Sequence, residues 1–186
     1  MSKNIYSEEE QQTILKFIRT TISAKLNNIK PPQLPELAGK LNRQGSCFVT
    51  LHDANGRLRG CIGNIVAYES LGDNITHNAV NAALNDPRFP AVSATELDSI
   101  TIEISILTPM EAIASIDEFE IGKHGIVLLC NGRSAVFLPQ VAPEQGWDKA
   151  TTLAHLSLKA GLAQNGWQSE AATFQVFEAI VFSEDK

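Results

Sequence analysis

A thiol, a guanidinium group and two glycines lie close together in the segment 58–63, Leu-Arg-Gly-Cys-Ile-Gly. A cation beside a thiol favours the thiolate, which is the nucleophilic form of cysteine. Glycines within a strand mark a bulge, or a close approach by another backbone or a ligand. The segment therefore predicts a reactive Cys61. It also predicts that Arg59, Gly60 and Gly63 lie beside a bound ligand. The alternative is an exposed strand face around an inert cysteine, since free cysteine is often a small core residue.

The pair Asn55-Gly56 predicts the element that positions this segment. Asn-Gly favours a two-residue hairpin turn because both residues tolerate positive φ, and β-rich runs lie on either side. Cys61 then shares one strand face with Arg59, since side chains alternate along a strand. The predicted cross-strand pairs are Ala54 with Arg57, His52 with Arg59, and Thr50 with Cys61. The opposite face is predicted to be core and comprises Cys47, Val49, Leu51, Leu58, Gly60 and Ile62.

A histidine in the segment Gly122-Lys123-His124-Gly125 is the candidate base. Loops flanked by glycine present side chains to a cleft, so His124 could take the proton of the Cys61 thiol. Glu144 or Glu103 would then orient the imidazole. The alternatives are an imidazole bonded to a backbone carbonyl that fixes the turn, and carboxylates that are solvated or cap a helix.

A second cation, Arg88, lies in the segment Asp86-Pro87-Arg88-Phe89-Pro90. This segment ends a predicted helix over 70–85, because the residue before a proline disfavours helical geometry. Arg88 could bind an anionic group together with Arg59. It could equally brace its loop against a carboxylate.

Length and composition limit the classes of function. At 186 residues the chain predicts one domain, 1–186, with residues from 65 to about 90 as a candidate small lobe. A net charge of −6 argues against a nucleic-acid partner. Three cysteines without metal spacing fit a reducing compartment, and no apolar run reaches the roughly 18 residues of a membrane span. We expect a cytoplasmic protein without metal, cofactor, nucleic acid or membrane contact.

The remaining patterns predict an α+β fold. Apolar residues at helical spacing predict a helix over 7–27, which begins with a Ser7/Glu10 capping box. Alternating isoleucines predict a strand over 100–107, and Asn131-Gly132 predicts a second hairpin. Asp148 predicts the N-cap of a helix that ends at Gly161 or at Asn165-Gly166.

The segment 58–63 also resembles the signature hexapeptide of the AMMECR family. Further motifs follow in the order of that family and span nearly the whole chain. They are Asp-Pro-Arg-Phe-Pro at 86–90, Ser-Ile-Leu-Thr at 105–108, Gly-Lys-His-Gly-Ile at 122–126, Phe-Leu-Pro-Gln-Val at 137–141, Glu-Gln-Gly-Trp-Asp at 144–148 and Lys-Ala-Gly at 159–161. The chain is identified as a member on this ordered set.

The resemblance implies an antiparallel β-sheet flanked by helices, with a small lobe inserted after the signature hairpin and a cleft between the lobes. It also implies partners, because microbial members are associated with a mediator-of-motility-like protein and a radical-SAM protein. The chain would be component A of that system, called AmmeMemoRadiSam. The family motifs fall on Arg59, Gly60, Cys61, Gly63, Arg88, His124 and Glu144. The resemblance implies no particular reaction.

Two functions from different classes fit these residues. We favour a non-catalytic binding module whose glycine-rich cleft at the signature strand binds a partner protein or a small anionic ligand. Arg59, Gly60, Gly63 and Arg88 would line that cleft. The alternative is a thiol-dependent enzyme, with Cys61 as nucleophile, His124 as general base and Glu144 as the carboxylate that orients it.

Overall fold

The computed structural model describes residues 5–184, and their helices and antiparallel sheets confirm the predicted α+β class. The helices are α1 (Glu8–Leu26), α2 (Leu71–Leu84), α3 (Ala94–Leu97), α4 (Val141–Gln145) and α5 (Lys149–Lys159). The strands are β1 (Ser46–His52), β2 (Leu58–Gly63), β3 (Thr101–Leu107), β4 (Glu111–Ile113), β5 (Gly125–Cys130), β6 (Arg133–Phe137), β7 (Thr173–Phe177) and β8 (Ala179–Ser183). Short 3₁₀ helices lie at Lys40–Asn42, Ile116–Glu118 and Gly166–Gln168.

The chain folds into two compact units. The first comprises the described residues up to Leu107 together with those from Ile180 onwards, and the second comprises Thr108–Ala179. The stretch 65–90, the candidate small lobe, belongs to the first unit, so the second unit forms from a later part of the chain. The cleft between lobes stays a prediction.

The first unit contains the signature strand, at one edge of a four-stranded sheet in the order β2-β1-β3-β8. β1 pairs antiparallel with both β2 and β3. One face of the sheet is apolar and packs against α1 and α2, with Val49, Ile104, Ile18 and Ile75 fully buried between them. The predicted capping box of α1 is present, because the Ser7 hydroxyl accepts from the backbone amide three residues on while the glutamate there accepts from the Ser7 amide.

The signature hairpin turns differently from the sequence prediction. The amide of Gly56 donates to the Asp53 carbonyl at 2.9 Å, and Gly56 alone of the Asn-Gly pair has a positive φ. The Asp53 carboxylate accepts from the amides of Asn55 and Arg57 at 2.8 and 2.9 Å. The Asp53 amide donates to the Arg57 carbonyl at 2.8 Å, so the turn comprises 54–56, one residue more than Asn-Gly, and the predicted pairing of Ala54 with Arg57 is wrong. The turn therefore starts at an aspartate whose side chain captures the loop amides.

The longer turn shifts the register at the start of β2. The predicted Thr50–Cys61 pair is confirmed, but His52 pairs with Leu58 and not with Arg59, because a bulge follows Leu51. The prediction that Leu58 belongs to the core is also wrong, since its side chain is exposed.

The second unit is built on a sheet in the order β4-β7-β5-β6. Its core joins Ile126 and Leu128 of β5 to Leu153 and Leu156 of α5. The predicted Asn131-Gly132 hairpin is confirmed, because both residues have positive φ, at 50° and 75°. No helix among the described residues is long and apolar enough to cross a membrane.

Candidate functional site

The two glycines of the signature strand are explained by contacts inside the first unit. A Cβ atom on Gly60 would lie 2.2 Å from the backbone oxygen of Ala82, so α2 packs directly on the strand there. A Cβ atom on Gly63 would lie 2.3 Å from the Phe48 ring, which covers the glycine from β1. The close approach predicted from the sequence therefore comes from the protein itself. A ligand-binding role for either glycine stays a prediction.

Arg59 is neutralised by a carboxylate that the sequence prediction did not select. Its Nε and Nη2 donate to the two oxygens of Glu96 in α3, at 2.6 and 3.0 Å. This pairing holds the pKa of Glu96 below its ordinary value, chiefly through the hydrogen bond from Arg59. The remaining nitrogen, Nη1, is buried and has no hydrogen-bond partner among residues 5–184. Because the cation is engaged by Glu96, it is less available to stabilise a Cys61 thiolate.

Cys61 is half-buried on the edge strand and is held mainly through its backbone. The Thr50 hydroxyl lies 3.3 Å from its sulfur and donates to it. Its amide donates to Asp86 at 2.9 Å, and its carbonyl accepts from Arg88 at 3.2 Å. Cys47 points the opposite way into the core, where burial raises the pKa of its thiol to about 12. The two signature-hairpin thiols therefore occupy different environments, as the alternation of faces predicts.

Arg88 braces its loop against a carboxylate, which is the second of the two interpretations made from the sequence. Its Nε and Nη2 donate to the two oxygens of Asp86, at 3.0 and 2.8 Å. The Asp86 side chain is only 2% exposed, whereas that of Arg88 is 54% exposed. These hydrogen bonds, first among them the one from Arg88, hold the pKa of Asp86 well below its ordinary value. The pair occupies the backbone amide and carbonyl of Cys61 at the outer edge of β2. Without it, these groups would be open to pairing with a further strand.

We predict that Asp86→Asn lowers the free energy of unfolding by about 2–4 kcal/mol at pH 7, because the buried carboxylate accepts hydrogen bonds from both the Arg88 guanidinium and the Cys61 amide. The folded-state pKa is depressed, so this contribution is present above the unfolded value of about 3.9 and is lost as the pH falls through the folded value. Urea unfolding at several pH values should therefore show the difference from wild type shrinking below about pH 4. The control is Asp98→Asn, at an exposed residue. An equal loss in both variants would contradict the brace.

His124 lies in the second unit, where it stabilises its own loop. Its Nδ1 accepts from the backbone amide of Glu120 at 3.2 Å, and its side chain is largely buried. The neutral ring therefore carries its proton on Nε2, which lies 3.9 Å from Glu178. The turn-fixing interpretation is thus correct in kind, with an amide in place of the expected carbonyl. Its action as a base on Cys61 stays a prediction.

Glu144, the proposed orienting carboxylate in the same unit as His124, forms no hydrogen bond or ion pair with the imidazole among the described residues. Glu144 lies in α4 with an exposed side chain, and its carboxylate has no hydrogen bond or ion pair among residues 5–184. Glu103 lies on β3, where it pairs with Thr50 of β1 in the first unit. The carboxylate near His124 is Glu178, which no sequence motif had singled out.

A buried polar network beside the signature strand was missed from the sequence. Asn74, on α2, is fully buried, and its Oδ1 accepts from the Cys47 amide at 2.9 Å. Its Nδ2 donates to Asn64 and Glu69 at 2.6 and 2.7 Å. Asn78, one turn further along α2, donates to the Cys47 carbonyl at 3.1 Å and to Asn64. The available signal was two asparagines four residues apart within an apolar helix stripe.

This network fixes the loop 64–70 that leads from β2 into α2. One carboxylate oxygen of Glu69 accepts a hydrogen bond from Asn74 Nδ2. The other lies 2.9 Å from His77 Nδ1. Among the described residues, no group of three or more histidine, cysteine or acidic side chains is arranged to hold a metal ion. The candidate site thus consists of an edge strand, whose glycines are closely packed, and the following loop 64–70, which hydrogen bonds hold in place.

Comparison with known proteins agrees with this architecture. The family model described as AMMECR1 matches residues 15–182. Protein MJ0810 of Methanocaldococcus jannaschii is 37% identical over 185 residues, which cover 95% of this chain and 90% of that protein. Protein MK0488 of Methanopyrus kandleri is 36% identical over 186 residues, with 96% and 90% covered.

A solved structure shows the same fold. The crystal structure of the uncharacterized protein PH0010 from Pyrococcus horikoshii superposes with a TM-score of 0.80 at 30% sequence identity. The match covers 97% of this chain and 94% of that one. Together with the family match over 15–182, this likeness confirms the identification made from the motifs: the chain belongs to the AMMECR1 family.

Proposed function

We propose that this chain is a non-catalytic binding module, and that its recognition surface is the signature strand β2 together with the loop 64–70. The observation that carries the proposal is a pair of apolar side chains on that loop. Val66 and Tyr68 are each 66% exposed, more than any other large apolar side chain among the described residues. Two large apolar side chains exposed two residues apart on one ordered loop fit a protein-binding surface.

The loop is held in one conformation by hydrogen bonds to its backbone carbonyls. The Ser46 hydroxyl donates to the Ile65 carbonyl at 3.1 Å, and Asn64 Nδ2 donates to the Val66 carbonyl at 2.6 Å. Gln44 Nε2 donates to the Ala67 carbonyl at 2.9 Å, and the Gly45 amide donates to the Glu69 carbonyl at 3.3 Å. A loop ordered before binding loses little conformational entropy on association. These four carbonyls are already engaged, which favours recognition by side chains over strand addition.

The surroundings of Cys61 support a binding role over the thiol-enzyme alternative. The hydrogen bond to its sulfur comes from Thr50, and no histidine of the first unit forms one among the described residues. The two nearby cations, Arg59 and Arg88, are each paired with a carboxylate. A small anionic ligand would have to compete with those carboxylates, which favours a protein partner over an anion here.

The partners we propose are the mediator-of-motility-like protein and the radical-SAM protein that the family resemblance implies. A tyrosine on a rigid loop is a common anchor residue, since it offers a large contact area with few rotatable bonds. Tyr68 would insert into an apolar pocket of the partner, with Val66 beside it.

We predict that the double variant Val66→Ser/Tyr68→Ser keeps the fold and weakens the Kd for at least one of these two proteins by about 100-fold. Removing a central aromatic anchor from an interface typically has an effect of this size. Calorimetric titration of each purified partner measures it. The matched control is Leu158→Ser, which removes an exposed apolar side chain from α5 in the second unit. Unchanged affinity in the double variant, or no binding of either protein by wild type, would contradict the proposal.

A further inference from the structure

The dipeptide Asn-Gly occurs three times in the chain, at 55–56, 131–132 and 165–166. Such a pair can modify itself, because glycine has no side chain to hinder the attack of its backbone nitrogen on the asparagine amide carbon. A bond forms between that nitrogen and Cγ, and the bond between Cγ and Nδ2 breaks. The proton of the glycine N–H passes through water to the departing –NH₂ group, which leaves as ammonia. Water then opens the succinimide at either carbonyl, which gives aspartate or isoaspartate.

Two of the three glycine amides are engaged in hydrogen bonds. The Gly56 amide donates to the Asp53 carbonyl at 2.9 Å, and the Gly166 amide donates to the Ala163 carbonyl at 2.8 Å. A nitrogen whose proton is held by a carbonyl has to break that hydrogen bond before it can attack a neighbouring side chain. These two pairs are therefore protected by the fold.

The third glycine amide, that of Gly132, has no hydrogen bond among residues 5–184. Asn131 and Gly132 are both exposed and form the two-residue turn between β5 and β6. The Asn131 side chain likewise has no hydrogen bond within the described part of the chain. Its φ of 50° lies in the left-handed region, so rotation of Asn131 out of the turn conformation relieves backbone strain. Both reacting groups are thus free at this pair.

We propose that Asn131 is the preferred site of spontaneous deamidation in the folded chain. The product carries a new carboxylate at the tip of the β5–β6 hairpin, and isoaspartate also lengthens the backbone of the turn by one methylene group. Because the pairing of Cys130 with Arg133 closes this turn, we expect the isoaspartate form to loosen that end of the hairpin. The site lies in the second unit, so the inference goes beyond the recognition surface proposed above and does not depend on it.

Incubation of the folded protein at mildly alkaline pH, followed by peptide mass spectrometry with electron-transfer fragmentation, measures aspartate and isoaspartate at each pair. We expect Asn131 to react at least about fivefold faster than Asn55 or Asn165, since one ordinary hydrogen bond protects each of the other two pairs. A parallel incubation in guanidinium chloride removes the fold. There the three rates should lie within about twofold of one another, because the reacting dipeptide is the same.

The variant Asp53→Ala tests the protecting hydrogen bond itself. The Asp53 carboxylate accepts from the amides of Asn55 and Arg57, so its removal loosens this turn and frees the Gly56 amide more often. The rate at Asn55 should rise about threefold, while the rate at Asn131 should stay as in wild type. The matched control is Asp98→Ala, which changes an exposed aspartate outside all three pairs and should alter neither rate.

Three results would overturn the proposal. The first is that Asn55 or Asn165 reacts as fast as Asn131 in the folded protein. The second is that Asn131 does not react in the folded protein although it reacts in guanidinium chloride, which would show that the two-residue turn protects the pair. The third is that Asp53→Ala leaves the rate at Asn55 unchanged, which would exclude the glycine amide hydrogen bond as the cause of protection.

Discussion

Asn74→Ala should lower the free energy of unfolding by about 3–5 kcal/mol, more than any other single side-chain truncation in the polar network. Asn74 is fully buried, and it joins the Cys47 amide to Asn64 and Glu69 by hydrogen bonds of 2.6–2.9 Å. Truncation leaves a buried amide and a carboxylate without their partner, and unpaired buried groups are strongly destabilising. Urea unfolding followed by circular dichroism measures the change.

The control for this prediction lies on the same helix. Asn81→Ala removes a side chain whose hydrogen bond is the exposed contact with Asn85, so it should change the free energy of unfolding by less than about 1 kcal/mol. Asn74→Ala should in addition increase hydrogen exchange in the loop 64–70, because Glu69 loses its anchor on α2. If Asn74→Ala unfolded like Asn81→Ala, the network would not be what holds the loop.

Gly60→Ala should lower the free energy of unfolding by about 3 kcal/mol or more, although it adds only one methyl group. The new Cβ atom would lie 2.2 Å from the backbone oxygen of Ala82, so either β2 or α2 must move as a whole. A side-chain neighbour could rotate away, but a helix carbonyl cannot. Thermal unfolding compares this variant with Leu58→Ala, which changes an exposed residue of the same strand and should have a small effect.

The packing of Gly60 also limits what a substitution there can show about a ligand cleft. A bulky residue at Gly60 would test a ligand cleft only if the glycine faced one. The packing against Ala82 means that loss of partner binding in Gly60→Val would report misfolding of the first unit. A Gly60→Ala protein as stable as wild type would contradict the close approach of α2.

Local patterns predicted most of the elements that position the site. The capping box at Ser7, the Asn131-Gly132 hairpin and the pairing of Thr50 with Cys61 each depend on residues close in sequence or on strand alternation. The turn of the signature hairpin was mispredicted because Asp53 competes for the loop amides with its carboxylate. That competition involves a side chain outside the Asn-Gly pair, which the turn preference does not consider.

The ionic partners in the site could not be predicted from the sequence. Arg59 lies 37 residues from Glu96, and nothing in the chain distinguishes that glutamate from Glu103 before the fold is known. Asp86 is only two residues from Arg88, and bracing was one of the two alternatives for that arginine, but the link to the Cys61 amide depends on where β2 ends up. The burial of Asn74 and Asn78 does not follow from helical periodicity, because that pattern considers apolar residues alone.

The central claim is that recognition, and not thiol chemistry, is what this chain contributes. The most direct test is complementation of cells that lack the chain with wild type, Cys61→Ala and Val66→Ser/Tyr68→Ser, at matched protein levels. We predict that Cys61→Ala restores function as wild type does, and that the double variant does not. A Cys61→Ala protein that is folded but fails to restore function, together with a double variant that succeeds, would contradict the binding-module proposal and favour Cys61 as a nucleophile.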